Sequence, residues 1–257
     1  MPTVMLASKI HGNYHHLKLV EEYVKSSLQG LKVKIENVEA TPNKWLQLTF
    51  SGEDEKAALS YLEKEVGLCP VNIKSLQKFS MIRGYITSLG ESRDEIHADI
   101  GVTFPKAVVA TVPLQRLQSQ LADGRKIALH KIVELYGFSE NAPITIKITS
   151  LSENRIEAEM AEVQLATYKR WVKSLLDRLI VIGASQQEIR KALKYSKCQN
   201  DIVAIEPLGL FEYAVVCKLG TDAVGLIPKV GKHLPNTKLA TFNPRTLRKF
   251  FEGLYIT

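Results

Sequence analysis

The sequence predicts an α+β chain of three units: a ferredoxin-like βαββαβ unit over residues 1–77, an OB-type β-barrel over 78–162 and a basic C-terminal α/β unit over 163–257. Three observations predict it. Strand-like and helix-like periodicities alternate across the first unit in the order of a split-βαβ arrangement. Five short alternating runs follow, with a helical run between the third and fourth. The charge then changes abruptly. Residues 1–77 hold 9 basic and 9 acidic side chains, residues 78–162 hold 10 and 11, and residues 163–257 hold 15 and 7, so the whole net charge of +7 comes from the last third. A hydrophobic content of 45% and a charged content of 24% over 257 residues are ordinary for two or three compact domains.

In the first unit, residues 3–8 read as a strand. Leu17, Val20, Val24 and Leu28 recur at helical spacing before the stop signal Gly30. Val33 and Ile35 alternate with Lys32, Lys34 and Glu36, Thr41-Pro42-Asn43 makes a turn, and residues 45–50 return as the second arm of a hairpin. Ser51 is the expected cap of a helix that carries Ala57, Leu59, Leu62 and Val66 and ends at Gly67, and residues 70–73 are expected to add a last strand. Ferredoxin-like units include RNA-recognition modules, but those need aromatic side chains at fixed places on two central strands. Trp45 and Phe50 read instead as core. With its balanced charge, this unit is expected to pack or to hold a protein.

His11, His15 and His16 read as solvated histidines at a helix start. Adjacent helical residues point about 100° apart and do not share an ion easily, so no metal is expected. Cys69, Cys198 and Cys217 are odd in number and far apart, which argues against a zinc site or a disulfide framework and for a reducing cytoplasm. They read as small core residues. No apolar run approaches the roughly 20 residues of a bilayer span, and residues 3–6 are too short for a signal-peptide core. The chain is therefore expected to be soluble, cytoplasmic and without a membrane partner.

The second unit begins with a strand at 82–89, followed by a polar turn at 91–94 and a cleanly alternating strand at 96–101. Residues 107–112 form a third strand closed by Pro113. A helix is expected at 114–121 and an extra one around 127–136, before a terminal hairpin of 144–148 with 155–158. Residues 84–89, 98–101, 112–117, 146–151 and 155–158 stand in the order and spacing of the RNA-binding OB repeat of the ribosomal-protein-S-one type, which this segment resembles. The resemblance implies an RNA-facing barrel surface, for which Tyr85 and His97, with Phe104, are the candidate stacking side chains.

The third unit opens with a helix at 163–180, broken at Gly183. Ser185-Gln186-Gln187-Glu188 is a capping box. The helix it starts turns Ile189, Ala192 and Leu193 one way and Arg190, Lys194 and Lys197 the other, with Lys191 beside them. Residues 201–207 and 211–219, which include Lys218, read as a hairpin, and 223–227 as a further strand after the turn at 220–222. Lys229, Lys232 and His233 lie on a glycine-bearing loop without P-loop spacing. A final helix is capped by Asn243 with Pro244 at its first position. It sets Leu247, Phe250, Phe251 and Leu254 against Arg245, Arg248 and Lys249.

Residues 176–184, 201–209 and above all 216–228 give the chain a nearly end-to-end resemblance to an archaeal family of uncharacterised proteins. That resemblance implies an archaeal cytoplasmic protein and brings no catalytic residue. A concentrated basic patch gains free energy by releasing counterions from a polyanion. The expected function is thus non-enzymatic nucleic-acid binding, with RNA or a ribosome as partner. The Arg, Lys and His residues named in the third unit would hold phosphates, Tyr85 and His97 would stack on bases, and no cofactor is expected. Two alternatives stand beside it. A winged helix in the third unit would bind DNA or RNA polymerase. An enzyme acting on nucleic acid is the other, although no His–carboxylate pair, metal motif or nucleophile elbow supports it. Asp177 with Arg178 reads as an ion pair, and Asp222 as a turn residue. Oligomeric state is not encoded in any of these patterns.

Overall fold

The computed structural model describes residues 1–11, 15–90, 92–152 and 155–253. It is an α+β chain. The first unit runs β1 (Thr3–Lys9), α1 (His15–Ser27), β2 (Val33–Ala40), β3 (Trp45–Gly52) and α2 (Glu55–Glu65). Its sheet is antiparallel with order β1-β3-β2. Both helices pack on this sheet, α1 against β2 and α2 against β3, and Val20, Val24 and Leu62 are buried in one core with Leu46, Leu48 and Phe50. The helix α2 starts later than Ser51, because Ser51 and Gly52 stay in β3 and Asp54 takes the cap position. The strand expected at 70–73 does not form. Leu68 alone bridges Leu6 on the free edge of β1. Pro70 has no N–H to donate, and Asn72 starts a 3-10 turn by accepting a hydrogen bond from Lys74 N.

The second unit is a closed five-stranded barrel. Its strands are β4 (Met81–Ile86), β5 (Glu95–Asp99), β6 (Ala110–Pro113), β7 (Pro143–Leu151) and β8 (Ile156–Met160), paired round the ring as β4-β5-β6-β8-β7. Only β6 and β8 pair in parallel. Alternation decides the interior: Ile96, Ala98, Ile144, Ile146, Ile148, Ile156 and Ala158 are buried. The helices α3 (Leu114–Leu121) and α4 (Leu129–Tyr136) lie between β6 and β7, where the sequence placed them. The polar turn expected at 91–94 begins at Glu91, which lies outside the described residues.

The third unit departs most from expectation. The helix expected to reach residue 180 ends early: α5 (Glu162–Ser174) closes at Leu175, in the left-handed region at φ 57°. Arg178–Ile182 is then strand β9. Its run of Leu, Ile, Val and Ile is buried on both sides, the pattern of an internal strand. After α6 (Gln186–Tyr195) come β10 (Ile202–Pro207), β11 (Glu212–Cys217), α7 (Ala223–Val230), β12 (Lys238–Phe242) and α8 (Pro244–Gly253). The sheet is antiparallel with order β10-β11-β9-β12. Residues 223–227 are therefore helical, not a strand. Asp222 caps them by accepting from Val224 N at 3.0 Å, and Ala223, Leu226 and Val230 are buried at helical spacing. The supposed loop at 229–233 is the last turn of α7 plus a 3-10 turn, Gly231–His233.

This sheet has two covered faces. Leu179 and Val181 face α6 and α7, while Ile180 and Ile182 join the aromatic cluster of Tyr136, Tyr168, Trp171 and Phe242 in the core shared with the barrel. The strand β9 separates α5 from α6, so the third unit does not pass directly from helix to helix at Gly183. Arg178 and Asp177 are not each other's partners. Arg178 lies over the Trp171 ring at 4.9 Å and within 3.8 Å of Glu206, and Asp177 accepts from Asn243 Nδ2 at 3.0 Å. Among the described residues, no helix is long and apolar enough to cross a membrane.

Candidate nucleic-acid interface

The helix α6 carries the densest set of sequence-predicted cations. Its start is the expected capping box: Ser185 Oγ accepts from Glu188 N at 3.3 Å, and Glu188 Oε2 accepts from Ser185 N at 2.7 Å. Ile189, Ala192 and Leu193 anchor it to the sheet. Arg190, Lys191 and Lys194 are exposed. At 100° per residue, Arg190, Lys194, Lys191 and Tyr195 follow one another across an arc of about 140°. Lys197 does not continue this stripe. The helix ends at Tyr195, and Lys197 sits at φ 58° while Cys198 N bonds back to Leu193 O at 2.9 Å. This left-handed closure turns the chain away.

Tyr195 is the residue that sequence reasoning missed. Its side chain is 68% exposed, and its ring centroid lies 5.8 Å from that of His233. The 3-10 turn bearing Lys232 and His233 therefore flanks α6, with exposed Lys229 just before it. On the other flank, a groove of about 400 Å³ separates α6 from β10, an edge strand of the sheet; Arg190, Lys194, Gln199 and Val203 line it. A tyrosine four residues after a lysine, at the end of a capped basic helix, was the available signal.

The electrostatics leave this face unneutralised. Among the described residues, Arg190, Lys191, Lys194, Lys197, Lys229 and Lys232 form no ion pair. Some cations elsewhere are paired, as Lys131 is with Glu134 at 2.9 Å and Lys238 with Glu140 at 2.7 Å, while Arg245, Arg248 and Lys249 of α8 likewise form no ion pair among the described residues. The acidic residue of α6, Glu188, is drawn back to Ser185 and to His16 Nε2 at 3.1 Å. Burial alone would raise its carboxyl pKa. The hydrogen bonds from Ser185 and His16 outweigh that and hold it below the usual range, so its charge is spent within the fold.

The remaining candidates lie elsewhere. Arg245, Arg248 and Lys249 are exposed on α8, whose cap is as expected, with Asn243 Oδ1 accepting from Thr246 N at 2.9 Å. Leu247 of α8 is buried with Ile180 and Phe242, so this basic set is on the sheet face opposite α6, and the two do not form one surface. Leu254 lies outside the described residues. Lys218 is exposed just after β11, its N–H donating to Asp201 O. His97 is partly exposed and engaged with Glu95 at 2.9 Å. Phe104 is 59% exposed.

Tyr85 cannot stack on a base, because it is fully buried. It belongs to a polar joint where the three units meet. Its phenol donates to Glu212 Oε2 at 3.4 Å, and burial, with the Glu212 charge, pushes its pKa up. His11 Nε2 lies 2.5 Å from Glu212 Oε1, Lys9 Nζ lies 2.5 Å from Asp99 Oδ2, and Trp45 Nε1 donates to the same Asp99 oxygen at 3.0 Å. His16 is fully buried and stacked on Phe211 at 4.2 Å. The reading of His11 and His16 as solvated is thus overturned: each closes a gap between the first and third units. Among the described residues, no three His, Cys, Asp or Glu side chains group as metal ligands would.

The joint has little slack. A Cβ on Gly209 would fall 1.8 Å from Glu212 Oε2 and 2.7 Å from Arg83 Nη2, and Arg83 also donates to Leu208 O. Gly209→Ala is expected to lower stability by about 1–3 kcal/mol, read as a lower urea midpoint; an unchanged midpoint would show that the joint yields freely.

A three-part α+β chain around a closed barrel, locked by a buried polar joint and carrying an unneutralised basic helix face, is the class of protein these features define. It belongs to the DUF2110 family: residues 3–70 match the DUF2110 N-terminal domain and residues 176–242 the DUF2110 C-terminal domain. The two matched segments are those that His11–Glu212 and His16–Glu188 join, and the barrel lies between them. No curated protein matches the chain.

Proposed function

We propose that this protein binds nucleic acid without catalysing a reaction, and that RNA, free or within a ribosome, is its partner in the cytoplasm. The observation that carries this reading is the α6 face, where exposed cations converge from two elements and form no ion pair among the described residues. Such a surface stores electrostatic free energy that a polyanion releases. The barrel, whose ring order has its third and fifth strands parallel, is read as an OB-type scaffold, and the first unit as a split-βαβ module short of its fourth strand. With Tyr85 buried, only His97 and Phe104 of the expected stacking side chains remain accessible on the barrel, so this reading places recognition on the third unit.

The test is binding of labelled RNA by fluorescence anisotropy across a salt series. Affinity is expected to fall linearly on log–log axes, with a slope of about −0.7 per phosphate neutralised on a single strand. Affinity that stays flat over about a tenfold range of salt, or no binding at all, would sink the proposal.

A further inference from the structure

We infer that the α6 face is built for single-stranded nucleic acid, with Tyr195 as a base-stacking platform and Arg190, Lys191, Lys194 and Lys232 on the flanking phosphates. The inference rests on the nucleic-acid reading above and deepens it by naming the form of the ligand.

Packing does not account for Tyr195. The helix is anchored by Ile189, Ala192 and Leu193, while the Tyr195 ring is 68% exposed and its hydroxyl meets no described hydrogen-bond partner. Exposing a large aromatic group gives up the gain that its burial would bring. The ring is nevertheless placed. His233 lies beside it at 5.8 Å and 40°, within the range of aromatic pairs, and this contact ties the end of α6 to the 3-10 turn. Lys191 is one helical turn before Tyr195, so its ammonium and the ring lie about 5–6 Å apart at their bases. Lys232 is adjacent to His233 on the other side.

An aromatic ring between cations fits one ligand geometry: a base on the ring with its neighbouring phosphates on the cations. A duplex does not offer this, because its base faces are already stacked inside the helix. The ring would add nothing to duplex binding, while the cations would serve both forms. The groove between α6 and β10, with Arg190 and Lys194 on its wall, extends the path for the backbone away from Tyr195.

The experiment uses the full chain and three fluorescent probes of one sequence, about 12 nucleotides long: single-stranded RNA, single-stranded DNA and the RNA duplex. Tyr195→Ala is expected to weaken single-strand binding about tenfold or more, and Tyr195→Phe to restore it. Duplex affinity and the salt slope should stay as in the wild type, because no phosphate contact is lost. A loss confined to RNA assigns the ligand to RNA, and a loss on both sugars assigns it to single strands in general; both support the inference. Unchanged single-strand affinity in Tyr195→Ala, or an equal loss on single strand and duplex, overturns the stacking role and leaves the electrostatic reading standing on its salt slope. Failure of the wild type to bind any probe overturns that reading instead.

Discussion

Reversing Arg190, Lys191 and Lys194 to Glu together is expected to weaken RNA binding by about a hundredfold or more and to reduce the salt slope by about 2, the share of three phosphate contacts on a single strand. The loss should be similar for unrelated sequences, because phosphate contacts carry no base information. Folding should be spared. All three side chains are exposed, and the anchors Ile189, Ala192 and Leu193 are untouched, so circular dichroism should be unaltered. The control is the matching reversal of Arg245, Arg248 and Lys249 on α8. That helix lies on the other face of the sheet, beyond the Debye length of about 8 Å at physiological salt. It should change affinity only slightly. Binding that survives the α6 reversal but not the α8 reversal would move the interface to the other side of the molecule.

What the sequence revealed of this fold follows the reach of local pattern. The barrel strands and α3 were legible because alternation and turn residues are local signals; the Ser185–Glu188 capping box and the Asn243 cap were legible for the same reason. The strand β9 was not, since Leu179–Ile182 is apolar without alternation and follows a helix directly, where a continuous apolar run fits either state. The helix α7 was misread in the same way, because Gly225 and Pro228 within an apolar run imitate a strand and loop. Arg190, Lys191 and Lys194 were visible as an exposed stripe, but Lys197 was counted with them because a helix end fixed by left-handed closure has no strong mark without glycine. The joint was invisible for a different reason. His11 and Glu212 are 201 residues apart in sequence, and Tyr85 and Glu212 are 127 apart, so no spacing rule connects them.

That joint is where the largest loss of stability is expected. Glu212 is completely buried, with a His11 nitrogen 2.5 Å from one oxygen and the Tyr85 hydroxyl 3.4 Å from the other. Removing one partner of a buried hydrogen-bonded contact leaves the other desolvated and unsatisfied, and the truncated side chain leaves a cavity, a combined cost of about 3–5 kcal/mol. Glu212→Ala should therefore lower the urea midpoint by that equivalent, well beyond the effect of an ordinary surface change. Glu212→Gln keeps the shape and can still accept from Tyr85, so about 1–3 kcal/mol is expected. The two variants separate packing from charge: equal losses would make the joint a matter of charge, a loss in Glu212→Ala alone would make it a matter of shape, and no loss in either would make it incidental. The consequence reaches the interface as well. His16, next to the joint, holds Glu188 at the first turn of α6, and Phe211, the neighbour of Glu212, stacks on His16. Loosening Glu212 should thus free the first unit from the start of the basic helix without removing a single cation. RNA affinity measured well below the unfolding midpoint should fall only modestly with the salt slope unchanged, whereas a collapse of that slope would show that the joint, and not the helix alone, shapes the binding face.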